Sequence, residues 1–322
     1  MSITTVSHDT LIRGEIWDAQ IKEALKDELG STGYVQWVDF PDGHALTIPS
    51  VGEATIVDYV EDTPVSYQSL DTGEFQLTTF NYKSSGLYIT KKMRQDSFYA
   101  ARLEASFVPK QTRAFQEVLE SDILGLAAAG ASGGQTAAAT NTINGAYHRW
   151  TTKGSSGVIE IKDFAKVNHS LKKANVGGQF IGIVDPSFEY QLSTITNLTS
   201  LDANPRWEGI VNDGMMSGMK FVRNVYGIDL YTSNYLPAAG AAQTGAETID
   251  STAIASGGVC NVFFSTSVES PFMGAWRQQP EVESEYNKDY QREEYILTGR
   301  YSLKVYRPEN LVVVINKSDQ IA

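Results

Sequence analysis

Apolar residues in this chain repeat first at helical spacing, then at strand spacing, then in short alternating blocks. Ile16, Trp17, Ile21, Leu25 and Leu29 recur in three- and four-residue steps, with Glu15, Asp18, Lys22, Glu23, Lys26 and Asp27 between them. This predicts an amphipathic helix behind a polar arm over residues 1–10, and Gly30 and Gly33 suit its end. Residues 34–92 read as β. Tyr34 to Asp39 alternates, Pro41-Asp42-Gly43 marks a turn, and further strands are expected at Ala45–Pro49, Thr55–Tyr59 and Leu87–Thr90. The polar stretch from Asp62 to Gly73 has few core residues, so this two-stranded excursion must rest on something else, such as another copy of the chain.

Helical spacing returns over 93–129. Tyr99, Leu103 and Phe107 step by four, as do Phe115, Leu119 and Ile123 beyond Pro109. Proline removes a ladder donor and crowds the preceding turn, so a kink or split is expected there. Residues 127–145 are small and polar and read as a flexible connector. An α/β alternation follows. Helices are expected at Phe164–Leu171 and Ser187–Thr196, with a buried strand at Gln179–Val184 between them. Phe221-Val222 and Ile228–Tyr231 read as strands about a Tyr226-Gly227 turn. Residues 237–251 read as a surface loop, Val262–Phe264 as a buried strand, and Tyr286–Lys304 and Leu311–Ile315 as closing β segments.

Composition narrows the function classes. With 322 residues, 42% of them hydrophobic, the chain can bury one large or two medium cores. Its apolar runs are too short for a bilayer and its first residues lack the pattern of a signal peptide, so no membrane partner is expected. The one cysteine, Cys260, excludes an intrachain disulfide and a cysteine zinc cluster, and reads as a small buried apolar residue. A net charge of −12 argues against a nucleic-acid grip, which needs a basic face. The same charge suits a wall that surrounds DNA without trapping it.

Candidate chemistry is sparse. His8, His44, His148 and His169 are scattered, and neither H-E-x-x-H, G-x-S-x-G, a P-loop nor a Rossmann glycine set occurs. A triad built from distant residues stays open, but each histidine reads more simply as a core or surface residue. No catalytic residue, cofactor or metal is assigned. Glu281, Glu283 and Glu285 share one face if extended. The plainest reading is a solvated edge that blocks strand addition. Next comes a contact with Lys91, Lys92 and Arg94 of another subunit, and third a hard-cation site. Arg292, Tyr295, Arg300 and Tyr301 interleave aromatic and basic groups, as single-stranded nucleic-acid sites do. Glu293 and Glu294 among them cancel the basic field, so sheet packing explains them better.

Five stretches, in order, carry a family likeness. They are the helix Glu15–Ile21; Leu46-Thr47-Ile48-Pro49 with Val51-Gly52 and Thr55–Tyr59; Phe180–Pro186 with Tyr190 and Leu192; Asn212-Asp213-Gly214 through Gly218, then Val225–Pro237; and Arg300–Glu309 with Leu311–Ile315. Together they resemble the major capsid proteins of tailed bacteriophages with the Hong Kong 97-like fold. Ser302-Leu303 stands where relatives often carry a glycine-containing pair. Some members of that family crosslink a lysine to a neighbour's asparagine; Lys83 lies in the expected loop, but neither an asparagine nor an activating glutamate is identified for it, and that crosslink is not expected here.

The resemblance implies an α+β capsid fold: an N-terminal arm and first helix over 1–46, an extended β-loop over 47–92, and a spine helix and peripheral domain over 93–154. An axial domain over 155–285 and returning peripheral-domain strands over 286–322 complete it. It implies self-assembly into hexamers and pentamers of an icosahedral head enclosing double-stranded DNA, without enzymatic activity. The location would be the virion capsid, with assembly in the host cytoplasm. A separate scaffolding protein, a portal and a decoration protein are the further partners, and the DNA is enclosed without sequence-specific binding. The expected subunit interface draws on Tyr59, Tyr67, Phe75, Tyr82 and Tyr88 as aromatic anchors, with Lys91, Lys92, Arg94, Glu281, Glu283 and Glu285. Two alternatives remain at this point: an encapsulin-like nanocompartment shell, and a glycan-binding or hydrolase protein with an aromatic-lined cleft.

Overall fold

The computed structural model describes residues 30–39, 45–52, 72–78, 81–96, 100–127, 142–152, 157–194, 220–239 and 258–317, with scattered positions between 54 and 69. The helix expected over 15–29 lies outside the described residues. A short 3-10 turn, Ser31–Tyr34, leads into β1 (Val35–Asp39). Strands β2 (Ala45–Val51), β3 (Thr72–Thr78) and β4 (Asn81–Thr90) follow, then helices α1 (Lys91–Asp96) and α2 (Ala100–Gly125). Next come β5 (Thr142–Ile143), β6 (Ala146–Tyr147), β7 (Arg149–Thr151), α3 (Ile161–Lys173), β8 (Phe180–Val184) and α4 (Pro186–Thr194). The remainder is β: β9 (Lys220–Val225), β10 (Ile228–Thr232), β11 (Ala238–Ala239), β12 (Gly258–Ser265), β13 (Phe272–Asn287), β14 (Arg292–Val305) and β15 (Val312–Lys317).

Two sheets dominate the described residues. One runs β1-β13-β14-β4; the other runs β7-β15-β12-β8-β10-β9, with β11 added to β12. Strand β8 reads Phe-Ile-Gly-Ile-Val, and every residue is buried, as expected of a central strand covered on both faces. Its alternation feeds two cores. Ile181 and Ile183 join Phe264, Val313 and Ile315 on one side, and Phe180 and Val184 join Phe263, Val312 and Val314 on the other. The second core is closed by α3 and α4 through Phe164, Val167, Leu171, Phe188 and Leu192. The first continues through Phe115, Leu119 and Ile123 of α2 to Leu297, Tyr301 and Leu303 of β14, joining the two sheets.

Local chemistry sets the boundaries. Helix α3 opens where the Glu160 N–H donates to Asp163 at 2.9 Å, a capping arrangement. It closes where Asn175 takes a φ of 62° and the Val176 N–H reaches back to the Leu171 carbonyl at 2.9 Å. Tyr226 (φ 54°) and Gly227 (φ 80°) turn β9 into β10, at the site the sequence marked.

Some elements differ from expectation, and several strands pair across the expected domain boundaries. Helix α2 is continuous through Pro109, so the chain is not split there; the proline is exposed, so solvent can reach the carbonyl it leaves without a ladder donor. Ile56, Val57 and Asp58 are not in a strand; hairpin β2–β3 closes at Val51 and Thr72. Residues 81–90, expected within the extended loop, pair with β14 in the four-stranded sheet. Strand β13, expected in the axial domain, lies in that same sheet. β7 and β15, expected with the peripheral parts, pair in the other sheet instead. The connector ends in a small hairpin, Thr142–Tyr147. The differences in sheet membership concern long-range pairing, which strand propensity does not encode.

Candidate assembly surfaces

Among the described residues, hairpin β2–β3 is anchored at one end only. Near its base Leu77 is buried and packs with Met273 and Ala275, and Leu46, Ile48, Phe75 and Tyr306 lean on that cluster. The Phe75 ring meets Tyr306 edge-on at 5.0 Å, and the Lys304 ammonium, 5.1 Å from the Phe75 centroid, donates to the Gln76 carbonyl at 3.0 Å. Phe75 is therefore spent within its own chain. The far end is bare: Ile56 is 100% exposed and Tyr67 98%, with Val57 and Val60 also open. Asp58, Glu61 and Asp62 are exposed beside them. Tyr59 lies outside the described residues.

Beyond Trp276, β13 loses its partner β1 and continues with β14 and β4 as a three-stranded blade. Its inner face packs on α2. Phe115 sits on Gly299, where an added Cβ would lie 2.6 Å from the ring. The Gln111 side-chain amide donates to the Ser85 and Tyr295 carbonyls, both at 3.1 Å. Asp122 accepts from the Tyr301 hydroxyl at 2.6 Å and pairs with Lys83 at 3.3 Å. Burial and the adjacent carboxylate both push the Tyr301 phenol well above the ordinary tyrosine range. Lys83 is thus engaged inside its own subunit.

The outer face carries Tyr82, Tyr88 and Ile296, all substantially exposed. Register puts Glu281, Glu283 and Glu285 of β13 level with Thr298, Ile296 and Glu294 of β14, on that face. All three glutamates are exposed, as are Lys91, Lys92 and Arg94 of α1. Arg94 pairs with Glu293 at 2.7 Å, so part of its charge is used internally. At the blade tip the Arg292 guanidinium lies between the Tyr88 and Tyr290 rings, 4.7 and 4.6 Å from their centroids, and donates to Glu294 at 2.5 Å.

Among the described residues, no group of three or more His, Cys, Asp or Glu is placed to hold a metal ion. No helix among them is long and apolar enough to cross a membrane. Cys260 is fully buried in the first core. His148 is buried, with Nδ1 3.2 Å from the Ala146 carbonyl oxygen, and burial lowers its pKa; His169 is exposed, and His8 and His44 lie outside the described residues. A cleft of about 370 Å³ lies between Tyr34 and Gln36 on one side and Phe264, Thr266 and Val268 on the other. Its serine hydroxyls are committed to backbone: Ser265 donates to Gly177 and Gln179, and Ser270 to Tyr34.

The model of the phage capsid protein family matches residues 82–314. The chain belongs to the phage capsid protein family. Solved structures agree on the fold. One from Mycobacterium phage Che8 is 18% identical, with a TM-score of 0.63, covering 93% of this chain and 96% of the other. The capsid structure of cyanophage P-SCSP1u is 12% identical, with a TM-score of 0.65, covering 95% and 93%. The asymmetric unit of the mature capsid of bacteriophage PhiM1 is 12% identical, with a TM-score of 0.63, covering 95% and 92%. No curated protein matches the sequence. The chain is a structural major capsid protein whose place is the virion capsid. Its working state is an assembly of further copies of itself, and the nanocompartment and hydrolase alternatives are not favoured.

Sequence reasoning missed one feature of these surfaces. The Tyr88–Arg292–Tyr290 stack joins strands far apart in sequence, and no local pattern signals it.

Proposed function

We propose that this capsid protein has the Hong Kong 97-like organisation and tiles an icosahedral head from hexamers and pentamers. In this reading residues 45–78 are the extended loop, α2 is the spine helix, the β13–β14–β4 blade is the peripheral domain, and the seven-stranded sheet with α3 and α4 is the axial domain. The head encloses double-stranded DNA without sequence-specific contacts, consistent with a net charge of −12. A separate scaffolding protein, a portal and a decoration protein act beside it, assembly takes place in the host cytoplasm, and the protein itself catalyses nothing.

The observation that carries this reading is the bare hairpin tip. A free subunit holding Ile56 and Tyr67 wholly in water gains nothing from them, whereas a neighbour that covers them gains about 25 cal/mol per Å² of apolar surface. Tyr67, Tyr82 and Tyr88 are then anchors between subunits, while Phe75 anchors the hairpin to its own base. Many modest contacts of this kind, repeated over a shell, stabilise it collectively.

Negative-stain microscopy of the wild type, expressed with its neighbouring genes, tests the reading beside a variant whose residues 54–69 are replaced by a short turn. Shells from the wild type and soluble, folded subunits from the variant are expected. Normal shells from the variant would refute the role of the tip. A wild-type protein that stays monomeric with scaffolding protein present would refute the assembly itself.

A further inference from the structure

The outer blade carries charges that its own chain leaves uncommitted. Arg292 is paired with Glu294 and Arg94 with Glu293, while Lys83 is paired with Asp122. Among the described residues, Glu281, Glu283, Glu285, Lys91 and Lys92 have no such partner. These five are sorted by sign; Lys288 and Asp289, adjacent at the turn, offset each other, and Arg300 of β14 lies between the edges. The three carboxylates line β13, which beyond Trp276 has no neighbour on that side among the described residues. The two ammonium groups follow Thr90 at the end of β4, the opposite edge, where the Lys91 N–H donates to the Gln291 carbonyl at 2.9 Å. Two strand spacings, about 10 Å, separate the edges.

Opposite signs on opposite edges of one surface do not satisfy each other across the blade. They satisfy a copy related by rotation, in a head-to-tail contact that closes into a ring. Pro280 interrupts the β13 edge at the irregular register between Gln278 and Glu281 and denies an incoming strand a donor there, which favours a contact made by side chains. Between the two edges, Arg292 holds the Tyr88 and Tyr290 rings in place while both remain exposed. Aromatic groups fixed before contact lose less freedom on binding.

We infer that the blade tip is a heterologous self-association surface: Glu281, Glu283 and Glu285 of one subunit receive Lys91 and Lys92 of the next, around the Tyr88–Arg292–Tyr290 stack. The inference rests on the capsid reading and adds to it the residues that meet and the sign of charge each side presents.

Charge reversal tests it. One variant carries Glu281→Lys, Glu283→Lys and Glu285→Lys; a second carries Lys91→Glu and Lys92→Glu; a third carries all five. All positions are exposed, and a melting temperature matching the wild-type subunit establishes folding. Each one-sided variant is expected to lose shell yield by at least about tenfold, and the five-site variant to recover it. Normal assembly of either one-sided variant would overturn the pairing, as would failure of the folded five-site variant to recover. In both cases the wild-type shells would still stand. Absence of wild-type shells would instead strike the capsid reading beneath it.

Discussion

Tyr301 of β14 donates a hydrogen bond to Asp122 of α2 at 2.6 Å, and the same carboxylate holds Lys83 of β4 at 3.3 Å. One side chain on the helix thereby fixes two adjacent strands of the blade. Tyr301 is fully buried between Phe115 and Trp276, with ring centroids 5.9 and 5.6 Å away.

Tyr301→Phe keeps the ring and removes the bond. A hydrogen bond to a charged group contributes about 1.5–3 kcal/mol, and the unassembled subunit is expected to lose stability of that order in urea denaturation. The phenol's raised pKa adds a pH signature. The folded state keeps the proton while the unfolded state releases it near pH 10, so stability present below that value falls as pH climbs from about 10 towards the folded-state pKa. Denaturation midpoints from pH 8 to 11 should fall for the wild type and fall less for the variant.

Gly299→Ala should separate the blade from its helix. The new Cβ would stand 2.6 Å from the Phe115 ring, and overpacking of this kind costs about 1–3 kcal/mol. Gly86→Ala, on the outer face with nothing within 4 Å, is expected to leave subunit stability within about 0.5 kcal/mol of the wild type. Equal midpoints for the two variants would contradict the packing described.

Asn261 is fully buried and takes part in three contacts that bind the second sheet together. It donates to the Val314 carbonyl at 3.0 Å and to Asn316 at 2.7 Å, and accepts from the Asp185 N–H at 2.9 Å. Asn261→Leu strands these partners in a dry interior. A loss of at least about 2 kcal/mol in subunit stability is expected, read as a lower urea midpoint.

Ile56→Ser with Tyr67→Ser should have the opposite profile. Both side chains are almost wholly exposed in the subunit, so its melting temperature is expected to stay unchanged while shells fail to form or fall apart. A matching drop in subunit stability would mean that the tip packs on its own chain.

The sequence was legible where a signal is local. The five buried residues of β8, the Phe164–Val167–Leu171 stripe of α3 and the Tyr226-Gly227 turn each follow from neighbours a few positions apart. The period-two carboxylates of β13 were legible as a shared face, since alternation fixes direction without reference to a partner. Pairing was not legible. Nothing around Asn81–Thr90 says that its partner is β14 rather than β3, and nothing in Leu311–Ile315 names the sheet it joins. Pro109 lies inside α2 without ending it, because a proline's local signal does not tell a bend from a break. The phage capsid likeness, carried by five ordered phrases, reached the family without resolving these pairings.

Val35 pairs with Phe272, and Tyr82 with Arg300. Neither β1 nor β4 has a sheet to join until most of the chain has been made, and pairing across such separations is slow because the ends must find each other before any contact rewards them. The four-stranded sheet therefore exists only once residues 272–305 have been made, so a half-made chain has no blade to offer a neighbour.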